Sequence, residues 1–219
     1  MPSSISRSER ATRLLEALYE YCPDVSTTLD FADDPWRLLV GGFLAAQATD
    51  KRVNMITPAL FERFPSVADF ARVEPEDVEP YIKSVGIYRN KARSIVRAAR
   101  WLMSEEDGQV PDDIDRLLRV PGVGRKIANL VLSDYFGQPA VVVDTHCKRI
   151  SRLMGLTDSE DPARIERDLQ EVLPRESWTD WGHMMVTLGR EICIARRPDC
   201  EHCPCQPHCR YGSGEELEA

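Results

Sequence analysis

The 219-residue sequence lacks any apolar run that approaches the roughly 18 residues of a membrane-spanning helix. The N-terminal segment MPSSISRSER also lacks the apolar block of a secretion signal. Repeat periods and low-complexity blocks are missing as well. These absences argue against an integral membrane protein, a secreted protein and a repeat protein, and we expect the chain to be cytoplasmic.

Strand patterns are also scarce. The only β-like run is AVVVD at 140–144, which is too short to found a sheet. Nearly every long segment instead places apolar residues at helical spacing, and the connections are short and rich in Pro, Gly and Asp. The sequence therefore predicts an all-α fold, with helices at about 8–21, 36–48, 50–63, 66–72, 75–83, 88–103, 112–119, 124–135, 145–154, 161–172 and 178–190.

The chain has no net positive charge. Its formal net charge is −8 at pH 7, which argues against a general affinity for nucleic acid. The charges are segregated, however, because the stretch 81–104 contains six basic residues and no acid. Such a distribution allows one positive face on an acidic protein, and the alternative is a set of solvated helix faces. The six residues are Lys83, Arg89, Lys91, Arg93, Arg97 and Arg100.

Seven cysteines in a reducing compartment favour metal ligands or catalytic thiols over disulfides. Five of them lie in the stretch CIARRPDCEHCPCQPHC at 193–209. Four of these five follow the spacing C-x6-C-x2-C-x5-C, which suits either zinc or an iron–sulfur cluster, and spacing alone does not separate the two. The four candidate ligands are Cys193, Cys200, Cys203 and Cys209, whereas Cys205 is expected to be a spectator thiol.

The segment PDDIDRLLRVPGVGRKIANLVLSDYFG at 111–137 predicts a helix, a tight turn and a second helix. Gly122 and Gly124 allow positive φ and a close approach of the backbone to another molecule. The free amides at the start of the second helix favour an anion such as phosphate. The segment looks like a helix-hairpin-helix that clamps the DNA backbone through Gly122, Val123, Gly124 and Arg125, and the alternative is a structural αα-corner.

Two residues near this hairpin are candidates for chemistry. Lys126 falls in the first turn of the second helix, where the macrodipole disfavours a cation. An uncharged lysine amine is a nucleophile that forms a Schiff base with a sugar carbon, but a phosphate-neutralising charge is the simpler interpretation of the spacing. Asp144 precedes a predicted helix, where an N-cap is the default role and a functional carboxylate would look the same.

Five blocks in order along the chain, from about residue 10 to about 211, carry a family resemblance. They are LLVGGFLAAQATDKRVN, YIKSVGIYRNKA, VPGVGRKIANLVL, VVVDTH and the cysteine spacing. Together they resemble the endonuclease III family of helix-hairpin-helix DNA glycosylases.

The resemblance implies a role for each matching residue. Lys126 matches the catalytic lysine, and Asp144 matches the carboxylate that helps to activate it and stabilises the charged sugar. Gln47 matches a residue that fills the gap left by an extruded base, and Ile87 matches the apolar wedge, which is usually leucine. From the residues alone, Gln47 reads as a core amide one helical turn beyond Phe43, and Ile87 as a loop anchor. The four spaced cysteines match the ligands of a 4Fe-4S cluster whose loop presents Arg196 and Arg197 to phosphates.

The function that the resemblance implies is a bifunctional DNA glycosylase and AP lyase of base excision repair. It would excise oxidised pyrimidines from duplex DNA and cut the strand at the abasic site by β-elimination through a lysine Schiff base. One alternative is a monofunctional mismatch glycosylase; its adenine-specific members carry a glutamate where this chain reads GGFLA, and they lack the lysine. The other is a non-catalytic iron–sulfur DNA-binding protein.

The implied architecture has two helical domains with a DNA-binding cleft between them. Residues 28–138 would form a six-helix barrel with the hairpin at 112–135, and residues 1–27 plus 139–211 a four-helix iron–sulfur domain. The acidic tail at 212–219 is expected to be disordered. The expected partner is duplex DNA with damaged bases or abasic sites, bound by a monomer at the nucleoid and not at a membrane.

Overall fold

The computed structural model describes residues 5–215, and every regular element in that range is helical. The all-α prediction is confirmed, and the 140–144 run forms no strand with any described residue. None of the helices in that range combines the length and the apolarity needed to span a membrane. The helices are α1 (Arg7–Tyr21), α2 (Pro35–Leu44), α3 (Asp50–Arg63), α4 (Val67–Ala71), α5 (Pro75–Ile82), α6 (Tyr88–Glu105), α7 (Ile114–Leu117), α8 (Arg125–Asp134), α9 (Thr145–Leu153), α10 (Pro162–Val172) and α11 (Trp178–Glu191).

Most helices begin where a short polar side chain accepts a hydrogen bond from a first-turn amide. Such a bond satisfies one of the amides that a helix start leaves without a partner. Proline at the first position adds a preset φ in α2 and α10. The capping residues are Ser6, Asp34, Thr49, Ser66, Asp113, Asp144 and Asp161.

The chain divides into two compact units, with breaks after Ser26 and after Gln138. The first unit joins the N-terminal segment to the segment from Pro139 onward and contains α1, α9, α10 and α11. Its core includes the fully buried Leu14, Ile150 and Trp181. The indole nitrogen of Trp181 donates to the Ser151 hydroxyl at 3.2 Å, so these two buried polar groups are paired.

The second unit, Thr27–Gln138, contains the seven helices α2 to α8, one more than the six-helix barrel expected from the sequence. Its aromatic core places the Trp36 ring edge-on to Phe70, with centroids 5.4 Å apart. Helices α2 and α8 approach closely at Gly42, because a Cβ there would lie 2.9 Å from Cγ2 of Ile127. This contact fixes the start of α8 against the core of the unit.

Residues 212–215, the first part of the predicted disordered tail, form hydrogen bonds with the rest of the chain in the structure. The Ser213 amide donates to the Cys209 carbonyl at 2.8 Å, and the Glu215 carboxylate accepts from the buried Arg10 guanidinium at 2.6 Å. Because Arg10 also donates to the His208 carbonyl at 2.8 Å, the segment is held against α1. The rest of the predicted tail, residues 216–219, lies outside the described residues.

Candidate functional site

The predicted hairpin consists of α7, a turn over 118–124, and α8. Gly122 has φ +87°, and a Cβ there would lie 3.1 Å from the Phe43 ring, so both conformation and space require glycine. Gly124 differs, because apart from its own chain neighbours and the backbone of its helix no described residue has an atom within 4 Å of a Cβ built there. It is the N-cap of α8 and supplies no capping side chain, so another group can approach the helix start. Val123 buries its side chain and can offer only its backbone.

This contrast between the glycines gives a testable prediction. We expect Gly124→Ala to leave the melting temperature nearly unchanged, since the added methyl group meets open space. Affinity for duplex DNA should fall about tenfold, the equivalent of one lost hydrogen bond to a phosphate, because the methyl group keeps the phosphate away. Thermal unfolding and DNA titration would measure the two effects. Gly122→Ala is the matched control and should lower the melting temperature, and equal stability losses in both variants would contradict the phosphate contact.

Lys126 occupies the second position of α8, and its side chain is exposed. It makes no hydrogen bond or ion pair with any described residue. The next residue, Ile127, lies at the close approach of α8 to Gly42 of α2, so the backbone that carries Lys126 is anchored. An unpaired amine on a fixed backbone suits a nucleophile, and it equally suits a phosphate contact.

Asp144 is the N-cap of α9, as the sequence predicts for an Asp in that place. Its Oδ1 accepts the Cys147 amide at 2.7 Å. Within residues 5–215, no hydrogen-bond donor reaches its other oxygen, Oδ2, and the side chain is partly exposed. One oxygen therefore orients the carboxylate while the other remains available to a substrate.

Gln47 does not lie on a helix, because α2 ends at Leu44 and not at residue 48 as the sequence suggested. The expectation of a core amide is wrong, since the Gln47 side chain is exposed. Gln47 has φ +55° in the turn that follows the helix. A left-handed conformation costs a residue other than glycine about 1–3 kcal/mol, so the surrounding structure must hold it.

Ile87 shares this unusual conformation. It has φ +51° at the N-cap of α6, where a β-branched side chain is strongly disfavoured. Its side chain is 52% exposed, so the alternative of a loop anchor packed on the core is wrong. A Cβ on the preceding Gly86 would lie 3.8 Å from the Gln47 carbonyl oxygen. The structure thus brings together two exposed residues that lie 40 positions apart in the sequence.

The four spaced cysteines all line one cavity, which is otherwise mainly apolar and includes Ile150, Met154 and Leu188. Cys205 is fully buried and is not part of the lining. A hydrogen bond from the Cys205 thiol lowers the pKa of Cys203, while desolvation raises the pKa of Cys200 and of Cys209. In residues 5–215, no three His, Cys, Asp or Glu side chains are grouped closely enough to hold a single metal ion.

The basic residues are distributed differently from the single positive face that the sequence suggested. Arg196 and Arg197 are exposed in the loop that follows Cys193. Lys91, however, is only 4% exposed, and Arg100 donates to the carbonyls of Ala71 and Val73 at 3.1 and 2.8 Å. At least two of the six charges in 81–104 therefore hold the fold together rather than forming part of a free positive surface.

Comparison with known proteins identifies the family. Residues 40–175 match the profile described as HhH-GPD superfamily base excision DNA repair protein. Endonuclease III of Synechocystis sp. is 44% identical over 199 residues, which cover 90% of this chain and 90% of the relative. Endonuclease III of Escherichia coli K12 is 37% identical over 198 residues, which cover 90% of this chain and 93% of the relative. The chain belongs to the endonuclease III family.

Two solved structures have the same fold as this chain. A structure described as a trapped endonuclease III–DNA covalent intermediate superposes with a TM-score of 0.89 at 38% identity and covers 96% of this chain and 99% of that chain. A thermostable thymine-DNA glycosylase superposes with a TM-score of 0.83 at 20% identity, a likeness that shows the fold alone. As a member of the endonuclease III family, the chain is a DNA glycosylase and AP lyase of base excision repair.

Two contacts near the candidate residues of this endonuclease III family member were not predicted from the sequence. Arg149 on α9 donates to the Cys193 carbonyl at 2.6 Å and to its Sγ at 3.4 Å. Lys91 on α6 donates to two carbonyls at the end of α2. Both residues appear in the sequence only as members of basic clusters, and charge patterns do not distinguish a buried cation from a surface one.

Proposed function

We propose that Lys126 and Asp144 carry the chemistry of this DNA glycosylase and AP lyase, and that its substrates are oxidised pyrimidines and abasic sites in duplex DNA. The observation that carries the proposal is the match, at 38% identity over nearly the whole chain, to an endonuclease III captured as a covalent DNA intermediate. Lys126, exposed and without a partner among the described residues, supplies an amine suited to such a bond.

In the proposed reaction, the Lys126 amine attacks C1′ of the deoxyribose and the bond from C1′ to the base breaks. The base leaves with a proton, the sugar ring opens, and an imine remains between Lys126 and C1′. The imine acidifies C2′, and loss of a proton there expels the 3′ phosphate by β-elimination. Hydrolysis of the imine frees the enzyme. Asp144 is proposed to supply, at Oδ2, the negative charge that stabilises positive charge on the sugar.

Gln47 and Ile87 are proposed to fill the gap left when the damaged base leaves the stack. A base inside the duplex is out of reach, so the enzyme must extrude it and occupy the space. Gln47 offers an amide that can donate and accept toward the unpaired base, and Ile87 offers an apolar wedge. Their contiguous exposure beside Gly86 supports a single insertion unit.

Phosphates are proposed to bind at the open start of α8, through the backbone of Gly122, Val123, Gly124 and Arg125, and at Arg196 and Arg197 in the cysteine loop. Contacts to the backbone position the enzyme without reading sequence, as repair of scattered lesions requires. We place this activity in the cytoplasm at the nucleoid, with the protein acting as a monomer.

Covalent trapping tests the function as a whole. The protein is incubated with a duplex that contains thymine glycol, or with one that contains an abasic site, and borohydride is added to reduce any imine. We expect a protein–DNA adduct with both duplexes and strand cleavage without borohydride. Base release without an adduct would indicate a monofunctional glycosylase, and binding without either product would indicate a non-catalytic protein.

We further propose that Cys193, Cys200, Cys203 and Cys209 bind a 4Fe-4S cluster. Their donor set fits, because four thiols line one mainly apolar cavity. Bound there, the cluster would supply four metal–thiolate bonds that hold the loop 193–209 together. Cys205 is fully buried and does not line this cavity, and although its thiol donates to Cys203 it is proposed to be a spectator thiol.

Elemental analysis gives a prediction for this proposal. The purified protein should contain roughly four iron and four acid-labile sulfide per chain. Cys200→Ser should lose most of both, since it removes one ligand, while Cys205→Ser is the matched control and should retain them. Zinc without sulfide in the wild type would contradict the cluster, and loss of iron in Cys205→Ser would contradict the ligand set.

A further inference from the structure

Lys91 is the most deeply buried lysine of the described chain, and the chemistry proposed above does not use it. Its side chain is 4% exposed, and desolvation lowers its pKa. None of the carboxylates within residues 5–215 pairs with it. Its Nζ donates instead to the Leu44 carbonyl at 2.8 Å and to the Ala46 carbonyl at 2.5 Å.

These two carbonyls belong to the segment that presents Gln47. Leu44 is the last residue of α2, and Ala46 directly precedes Gln47. Carbonyls at the end of a helix lack intrahelical partners and carry the negative end of the helix dipole, so a buried cation is stabilised there. The ammonium therefore fixes the chain at the point where it enters the left-handed conformation of Gln47.

The same lysine is tied to Ile87. Lys91 lies in the first turn of α6, and its backbone amide donates to the Ile87 carbonyl at 3.2 Å. Helical side chains incline toward the N-terminus of their helix, so Lys91 reaches past the start of α6 toward the end of α2. One residue thus joins the backbone of Ile87 to the backbone next to Gln47.

We propose that Lys91 is a positioning residue that sets Gln47 and Ile87 at one spacing, so that both enter the gap opened in damaged DNA. The inference rests on the gap-filling role proposed for these two residues. Both hold left-handed conformations that neither side chain favours. The Lys91 ammonium is the contact that spans the two segments from a buried position.

The test measures a ratio of affinities. Binding is titrated with a duplex that contains a tetrahydrofuran abasic-site analogue and with the same duplex undamaged. Contacts to the phosphates contribute to both affinities, and so does the fraction of protein that is folded. The ratio therefore reports the insertion into the gap, and a purely structural role of Lys91 would not change it.

Lys91→Met is expected to lower this ratio about tenfold, because it removes the donor to the Leu44 and Ala46 carbonyls and releases the turn. Arg100→Met is the matched control, since Arg100 lies on the same helix and also donates to backbone carbonyls, those of Ala71 and Val73. Its ratio should stay within about twofold of the wild type, whatever its stability, since the energies of distant sites do not couple. If Lys91→Met fails to fold, Lys91→Gln replaces it and should show a smaller loss in the same ratio.

A double-mutant cycle completes the test. Gln47→Ala should itself lower the ratio, and adding Lys91→Met to it should lower the ratio by no more than about twofold further, because both act on one insertion. A wild-type ratio in Lys91→Met, or fully multiplicative losses in the double variant, would overturn the positioning role. A wild-type ratio in Gln47→Ala would overturn the gap-filling assignment and the inference with it. Absence of covalent trapping by the wild type would contradict the proposed chemistry alone, because the binding ratio needs no reaction.

Discussion

Lys126→Ala is expected to abolish the borohydride-trapped adduct with an abasic-site duplex. The substitution removes the amine that would bond to C1′, so no imine exists for borohydride to reduce. Excision of thymine glycol should slow on the order of a million-fold, as for a protease that loses its nucleophile. Denaturing gel electrophoresis would quantify both the protein–DNA adduct and the cleaved strand. DNA binding should persist, since the hairpin amides of α8 belong to the backbone.

Lys51→Ala is the matched control for this experiment. Lys51 is an exposed lysine at the second position of α3, as Lys126 is at the second position of α8. It should trap as the wild type does, which separates the loss of a particular amine from the loss of one positive charge. An undiminished adduct in Lys126→Ala would remove Lys126 from its role. A loss of binding that equals the loss of adduct would support the phosphate-neutralising interpretation.

The fold was largely readable from apolar periodicity, because ten of the eleven helices lie within a few residues of their predicted bounds. The exception is α2, whose apolar pattern continues to residue 48 although the helix stops at Leu44. Apolar periodicity indicates which face of a helix is buried, but it gives no information about a buried cation that binds the last carbonyls of that helix. The amine of Lys91, which lies 47 residues after Leu44, supplies that interaction.

The backbone conformation at the candidate site was less predictable than the types of residue that form it. The glycines of the hairpin predict an unusual turn, because glycine adopts positive φ at little cost in free energy. Gln47 and Ile87 carry no such signal, and single-sequence propensities assign them to ordinary helix and loop conformations. Their left-handed backbones occur where segments distant in sequence meet, since a Cβ on Gly86 would lie 3.8 Å from the Gln47 carbonyl oxygen. Cys147, in contrast, is fully buried in the core, and desolvation raises its pKa to about 12.

Asp144→Asn is expected to slow base release by roughly 100- to 1,000-fold, the cost of removing one preorganised charge-stabilising group from an active site. Asparagine caps a helix about as well as aspartate does, so α9 should keep its start and the melting temperature should change little. The variant loses the negative charge of Oδ2, which the proposed reaction uses. Single-turnover excision of thymine glycol and binding to a non-cleavable abasic analogue would separate the two properties.

Two further variants distinguish catalysis from capping at Asp144. Asp144→Ala removes the cap as well and should lower stability by about 1 kcal/mol in addition to the loss of rate. Asp161→Asn alters the N-cap of α10 in the same unit, where the Asp161 carboxylate accepts the Arg164 amide at 3.2 Å, and it should excise at the wild-type rate. If Asp144→Asn kept the wild-type rate while Asp144→Ala lost stability, the carboxylate would be a helix cap alone. Slow excision by Asp144→Asn with intact binding and an unchanged melting temperature would place the charge of Asp144 in the reaction, because a cap that asparagine replaces has no other means of altering the rate.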